Sequence, residues 1–140
     1  MPPFRLQRLD HIVLRVRDLP HMVAFYVEVL GCHVEKQTPA GGLTQLRAGE
    51  ALIDLVEVGS KLDGAGGKGP GVDGRNLDHL CLTIEPFDDR LLRDWLSVRA
   101  GWMSDTEERY GAEGEGPSLY IRDPEGNGIE LKKRLVAAAC

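Results

Sequence analysis

The chain has 140 residues, of which 42% are apolar and 28% charged, with a formal net charge of -5 at pH 7. That length suits one domain with a real core, the negative balance disfavours a nucleic-acid partner, and no apolar run approaches a membrane span. Cys32, Cys81 and Cys140 form no metal motif, their odd number argues against a disulfide scaffold, and residues 1–5 lack the apolar core of a secretory leader, so a reduced, cytoplasmic protein is expected.

Residues 9–16 read LDHIVLRV, rich in β-branched and aliphatic side chains, and predict a strand. Alternation puts His11, Val13 and Arg15 on one face and Ile12, Leu14 and Val16 on the other. The aliphatic face is expected to pack on a helix, and the histidine face to line a cavity or open surface. Asp18 as N-cap and Pro20 in the first turn start a helix. Met22 and Tyr26, then Phe25 and Val29, recur four apart as far as Leu30, and Gly31 ends the helix. Three strands are predicted next, over 33–37, 43–48 and 51–58, with turns between them. Asp54 lies inside the apolar run of the last, where a charge must be solvated, paired or metal-bound.

Residues 60–75 carry Gly64, Gly66, Gly67, Gly69, Gly71, Gly74 and Pro70, and predict a flexible linker. They contain no phosphate-binding fingerprint. Residues 77–84 then read LDHLCLTI, a second copy of the opening strand 68 residues later, identical at four of eight positions. His79, Cys81 and Thr83 oppose Leu80, Leu82 and Ile84. A helix over 86–100 follows, with Leu91, Leu92, Trp95 and Leu96 as its apolar stripe. Strands are predicted around 102–109, 118–122 and 128–133, the last two joined by a tight turn through Asp123-Pro124-Glu125-Gly126-Asn127. In the final strand Ile129 and Leu131 face one side, Glu130 and Lys132 the other. Residues 135–140 form an Ala-rich tail that reads as a short helix or a partner contact.

The whole is βαβββ, linker, βαβββ: a first module over 8–59, a linker over 60–75 and a second module over 76–134, within a single domain spanning 1–140. His11 opens the first module and Asp54 lies in its last strand; His79 opens the second and Glu130 lies in its last strand. Placed symmetrically, the two histidines and two carboxylates make an N/O ligand set suited to a divalent ion.

The stretches LDHIVLRVRDL, AFYVEVLG, LDHLCLTI and SLYIRDPEGNGIEL together resemble the vicinal oxygen chelate superfamily, which includes glyoxalase I, fosfomycin-resistance thiol transferases, extradiol dioxygenases and bleomycin-resistance proteins. The resemblance covers roughly residues 8–133 and is most specific in its DP-x-G-x-x-x-E ending. It implies an α+β fold of two βαβββ modules forming an incomplete barrel around a divalent ion (Zn, Ni, Mn, Co or Fe(II)). The implied ligands are His11, His79 and Glu130, with Asp54 at a fourth position where glyoxalase I typically has Glu.

The resemblance implies a glyoxalase-I-like lyase or isomerase on a small substrate held through adjacent oxygens, with Glu130 or Asp54 shuttling a proton. Arg15, Arg109 and Tyr120 are the candidate substrate-binding residues. A fosfomycin-type thiol transferase fits less well, because Val13 stands where that group has Thr. An Fe(II) dioxygenase would use His11, His79 and Glu130 as its triad, but no histidine follows His79. A non-enzymatic, bleomycin-resistance-like binder is the remaining alternative. A homodimer is expected from the resemblance alone.

Overall fold

A computed structural model describes residues 1–135; the predicted tail falls largely on 136–140, outside the described residues. The chain divides into two compact units, Met1–Gly71 and Val72–Cys140. Both carry the predicted plan. The first runs β1 (His11–Val16), α1 (Leu19–Glu28), β2 (His33–Thr38), β3 (Leu43–Ala48) and β4 (Ala51–Glu57). The second runs β5 (His79–Ile84), α2 (Asp89–Ser97), β6 (Glu107–Gly111), β7 (Gly114–Arg122) and β8 (Gly128–Lys133).

Each unit is one mixed four-stranded sheet, in the order β1-β4-β3-β2 or β5-β8-β7-β6. The first and last strands of a unit pair in parallel, and the others pair antiparallel. The repeat extends to register. Val13 pairs with Asp54 in one unit, and Cys81 with Glu130 in the other. The helix allows this parallel return, since two parallel neighbours need a crossover connection. The fold is therefore α+β, built from two copies of one βαβββ unit.

In the first unit the aliphatic faces of β1 and β4 bury Leu14, Val16, Ile53 and Leu55, with Met22, Phe25 and Tyr26 of α1 also buried. In the second, Leu119, Ile121, Ile129 and Leu131 are buried, as is Leu96 of α2. Both helices are capped as an Asp N-cap requires. Asp18 accepts from the His21 amide at 3.1 Å and Asp88 from the Leu91 amide at 3.0 Å. Replacing Asp88 with alanine is expected to lower stability by about 1 kcal/mol, read as a shift in urea midpoint at constant slope.

Several expectations need correction. The linker over 60–75 is not uniformly free, because its first half is folded onto the first unit. Arg15 makes a two-point ion pair with Asp63 (2.7 and 2.8 Å) and donates to the carbonyls of Gly66, Gly67 and Lys68. The strand predicted over 102–109 begins only at Glu107. Upstream, Met103 makes an isolated bridge to Ile121, and the Ser104 hydroxyl accepts from the Tyr120 amide at 2.8 Å. β7 starts four residues earlier than predicted, since Gly114 and Gly116 continue the ladder with β6. Cys81, on the histidine face of β5, is exposed.

Candidate metal and substrate site

Each unit sets one histidine and one carboxylate on the same sheet face, opposite its aliphatic face. In the second unit His79 Nε2 lies 3.2 Å from Glu130 Oε1. Glu130 is 6% exposed, so a charged group has been drawn into a protected position beside an imidazole. Gly128, directly across from His79, makes room for this arrangement. A Cβ there would come within 2.8 Å of the Asp78 carbonyl oxygen and 3.0 Å of the His79 Cβ.

In the first unit Asp54 takes the equivalent place and is 4% exposed. Its Oδ2 accepts from Gln45 Nε2 at 3.1 Å, while Oδ1 has no hydrogen-bond partner among the described residues. A buried carboxylate oxygen left open is costly unless something positive completes it. Asp54 also raises the pKa of His11, second to the hydrogen bond that His11 donates to Asp10.

Both histidines are held from behind in the same way. His11 Nδ1 donates to Asp10 Oδ1 and His79 Nδ1 to Asp78 Oδ2, each at 2.7 Å. This leaves Nε2 as the nitrogen available for a ligand, an arrangement that fixes tautomer and ring orientation in metal sites. The sequence reading missed Asp10 and Asp78, although the signal was present: Asp precedes His in both copies of the repeat. The Asp10 hydrogen bond holds the pKa of His11 above the ordinary 6.5. Protonated His11 therefore favours the folded state, a contribution present below about pH 6.5 and lost as pH rises through the higher folded-state midpoint. In Asp10→Asn, the His11 midpoint followed by NMR should fall back toward 6.5.

The three residues predicted to bind substrate separate. Arg109 and Tyr120 do lie beside the His79–Glu130 pair. The Tyr120 ring meets the His79 ring edge-on at 5.1 Å, and the Arg109 guanidinium lies 4.6 Å from the centre of the Tyr120 ring. Arg109 Nη1 also donates to the Ser118 carbonyl (2.6 Å) and hydroxyl (3.0 Å). Burial, reinforced by the Glu130 carboxylate, raises the Tyr120 pKa, so its phenol stays a hydrogen-bond donor near neutrality. Although Cys81 has an exposed edge, partial desolvation of its thiol and then the cross-strand Glu130 push its pKa up to about 11, which keeps it a thiol rather than a nucleophile. Arg15, by contrast, is committed to Asp63 and the glycine-rich loop, which corrects its assignment to substrate.

Among the described residues, no three His, Cys, Asp or Glu side chains converge as a ready-made metal cluster. Each unit supplies a pair. Each pair offers one oriented imidazole and one buried carboxylate, N/O donors of the kind a divalent ion takes, and in the first unit one carboxylate oxygen is uncompensated. No described helix is long and apolar enough to cross a membrane.

Comparison with known proteins agrees with this fold. The chain is 33% identical over 132 residues to the virulence protein STM3117 of Salmonella typhimurium, covering 91% of this chain and 85% of that one. It is 33% identical over 126 residues to biphenyl-2,3-diol 1,2-dioxygenase 3 of Rhodococcus globerulus, covering 89% of this chain but only 62% of the dioxygenase. Among solved structures, a protein from the mobile metagenome of V. Pseudocholerae matches with a TM-score of 0.75 at 27% identity, covering 95% of this chain and 98% of that one. The sequence model of one family matches residues 8–131. With the duplicated βαβββ unit and its paired histidine and carboxylate positions, this shows that the chain belongs to the Glyoxalase/Bleomycin resistance protein/Dioxygenase superfamily.

Proposed function

We propose that this chain is a divalent-metal-dependent enzyme, a glyoxalase-I-like lyase or isomerase acting on a small substrate through two adjacent oxygens. The observation that carries the reading is the matched placement of His79 and Glu130, 3.2 Å apart, and of His11 and Asp54 at the equivalent positions on one sheet face of each unit, with both histidines oriented by an aspartate. His11, His79, Glu130 and Asp54 would hold the ion, which would supply Lewis-acid polarisation of the substrate oxygens. Glu130 and Asp54 are the groups placed to take a proton from a carbon beside those oxygens and return it to its neighbour. Tyr120, a neutral donor beside Glu130, orients the carboxylate or a substrate oxygen. Arg109 holds the β7 backbone and the Tyr120 ring in position.

A dioxygenase reading has one observation in its favour, the biphenyl-2,3-diol 1,2-dioxygenase relative. His11, His79 and Glu130 would then be an Fe(II) triad. The absence of any histidine after His79 removes the added acid/base histidine of longer extradiol enzymes. The free Cys32 and Cys81 suit a reducing cytoplasm, and a homodimer is our expectation for the assembly; a light-scattering mass of one protomer would refute it.

The test is metal analysis of untagged protein purified without chelator. About one divalent ion per chain supports the enzyme, and the ion's identity then directs the assay: isomerisation for Zn, Ni, Co or Mn, ring cleavage for Fe(II). Failure to take up any of these ions after incubation would leave the non-enzymatic binding protein. Asp78→Asn is expected to weaken the ion about tenfold or more without unfolding the chain, measured by competition with a chelating dye.

A further inference from the structure

Lys132 is the unexplained charge of the second unit. It is 3% exposed, and its Nζ has no hydrogen-bond partner among the described residues. A buried ammonium without a partner is among the costliest groups a fold can keep. The fold itself does not require it. In the first unit the matching cross-strand pair is Leu43 with Val56, both apolar; in the second it is Ser118 with Lys132. One copy of the repeat has thus replaced an apolar pair with a hydroxyl and an ammonium.

The surroundings are built to admit this side chain. Its stem lies over Gly111 and Gly116: a Cβ at Gly111 would meet Lys132 Cε at 3.1 Å, and one at Gly116 would meet Nζ at 3.1 Å. Ser118, fully buried, accepts from Arg109 Nη1 through its hydroxyl oxygen, which leaves the hydroxyl hydrogen for another acceptor. Lys132 lies on the same face as Glu130, two residues further along β8 and so about 7 Å away. Charge, free donor and location together describe a place for an oxyanion a few bonds from the atoms that meet Glu130.

We propose that Lys132, with Ser118 and Arg109, forms an anion-binding subsite that takes the carboxylate or phosphoryl group of an acidic substrate. The inference rests on reading His79 and Glu130 as the reacting end, and it narrows the substrate class to small organic acids or their phosphorylated counterparts. Lys132 supplies the point charge, Ser118 the short donor, and Arg109, itself ion-paired with Glu107 at 3.3 Å, holds Ser118 in place.

Calorimetric titration of metal-free protein with sodium acetate and with inorganic phosphate tests it. One saturable site per chain is expected, and the preferred probe tells which source of oxyanion the site was built for. Lys132→Met should weaken that probe about tenfold to a hundredfold, while its melting temperature without probe stays level or rises, since an unpaired buried charge is gone. Ser118→Ala removes one hydroxyl only; it should weaken the probe severalfold and serves as the readout if Lys132→Met does not fold. Binding of neither probe to the parent, unchanged probe affinity in both variants, or a lower melting temperature in Lys132→Met with unchanged affinity would overturn the proposal. His79→Ala separates it from the metal reading: metal uptake should fall there while metal-free probe binding persists. Normal metal uptake without probe binding defeats the subsite alone.

Discussion

Replacing Glu130 with alanine should reduce divalent-ion affinity by more than a hundredfold and remove catalysis, with His79→Ala doing the same. The expectation follows from the ladder. Glu130 is buried and 3.2 Å from His79 Nε2, so the two groups act as a unit and neither has a nearby substitute in its sheet. Loss of an outer-shell partner alone costs metal sites about 10–100-fold, so loss of a ligand should cost more. Equilibrium dialysis with the chosen ion gives the affinity. Thermal melts of the metal-free variants show whether the fold has survived. Asp54→Ala should weaken the ion less than Glu130→Ala, because Asp54 is one methylene shorter and already shares one oxygen with Gln45. If Glu130→Ala kept full affinity, the carboxylate would have to be read as structural.

Arg15→Ala should release the glycine-rich stretch and lower the melting temperature by several degrees. The guanidinium spans both Asp63 oxygens and three carbonyls, from Gly66, Gly67 and Lys68. Asp63 also accepts from the Gly59 amide at 2.9 Å, and its side chain is only 1% exposed. Without Arg15 a carboxylate would be left buried and uncompensated, which is the expensive way to break an ion pair. Lysine should not rescue it, because a point charge cannot span two oxygens and the carbonyls at once. Limited proteolysis reads the outcome directly: cleavage within residues 60–71 should accelerate in the variant. The same pair predicts acid sensitivity. The Arg15 ion pair, helped by the Gly59 amide, depresses the pKa of Asp63, so its stabilisation is complete above the unfolded value of 3.8 and is lost as pH falls through the lower folded-state value. Asp63→Asn should flatten that acid limb of the stability curve.

The fold was legible because its signals were local and came twice. LDHIVLRV and LDHLCLTI marked matching strands, an aspartate opened each helix, and Asp123 to Asn127 announced the last turn, where the Asp123 carboxylate accepts from the Glu125 and Asn127 amides. Symmetry suggested one cluster of both histidines and both carboxylates, whereas the described residues show one histidine and one carboxylate on a shared sheet face within each unit. What escaped depended on partners far away in sequence or on depth within the sheet. Arg15 read as a substrate-binding cation because Asp63 lies 48 residues further on, in a stretch whose glycines suggested no structure. Lys132 was placed on the Glu130 side of its strand with no role assigned, since alternation gives the side but not the depth. The β6–β7 ladder was short in prediction because Gly114, Gly116 and Pro117 are poor strand formers whose place is fixed by pairing with β6 rather than by propensity. Asp10 and Asp78 precede the histidine in both copies of the repeat, but their role shows only in the ring orientation that brings each Nδ1 to its neighbouring carboxylate.

The parallel pairing of first and last strands has a kinetic meaning. β2, β3 and β4 in one unit, and β6, β7 and β8 in the other, meet through short turns and can zip locally. The ladders that bring residue 11 level with residue 52, and residue 79 level with residue 128, close nearly the whole span of a unit. Loop closure of that length is paid before its contacts repay it, so these ladders should form late. The chain thus assembles each histidine–carboxylate pair at the final step of folding a unit, and a nascent chain emerging from synthesis has no second pair until β8 is free. On the proposed metal reading, a half-built unit would offer no complete donor pair, and competence to bind would report that the unit has finished folding.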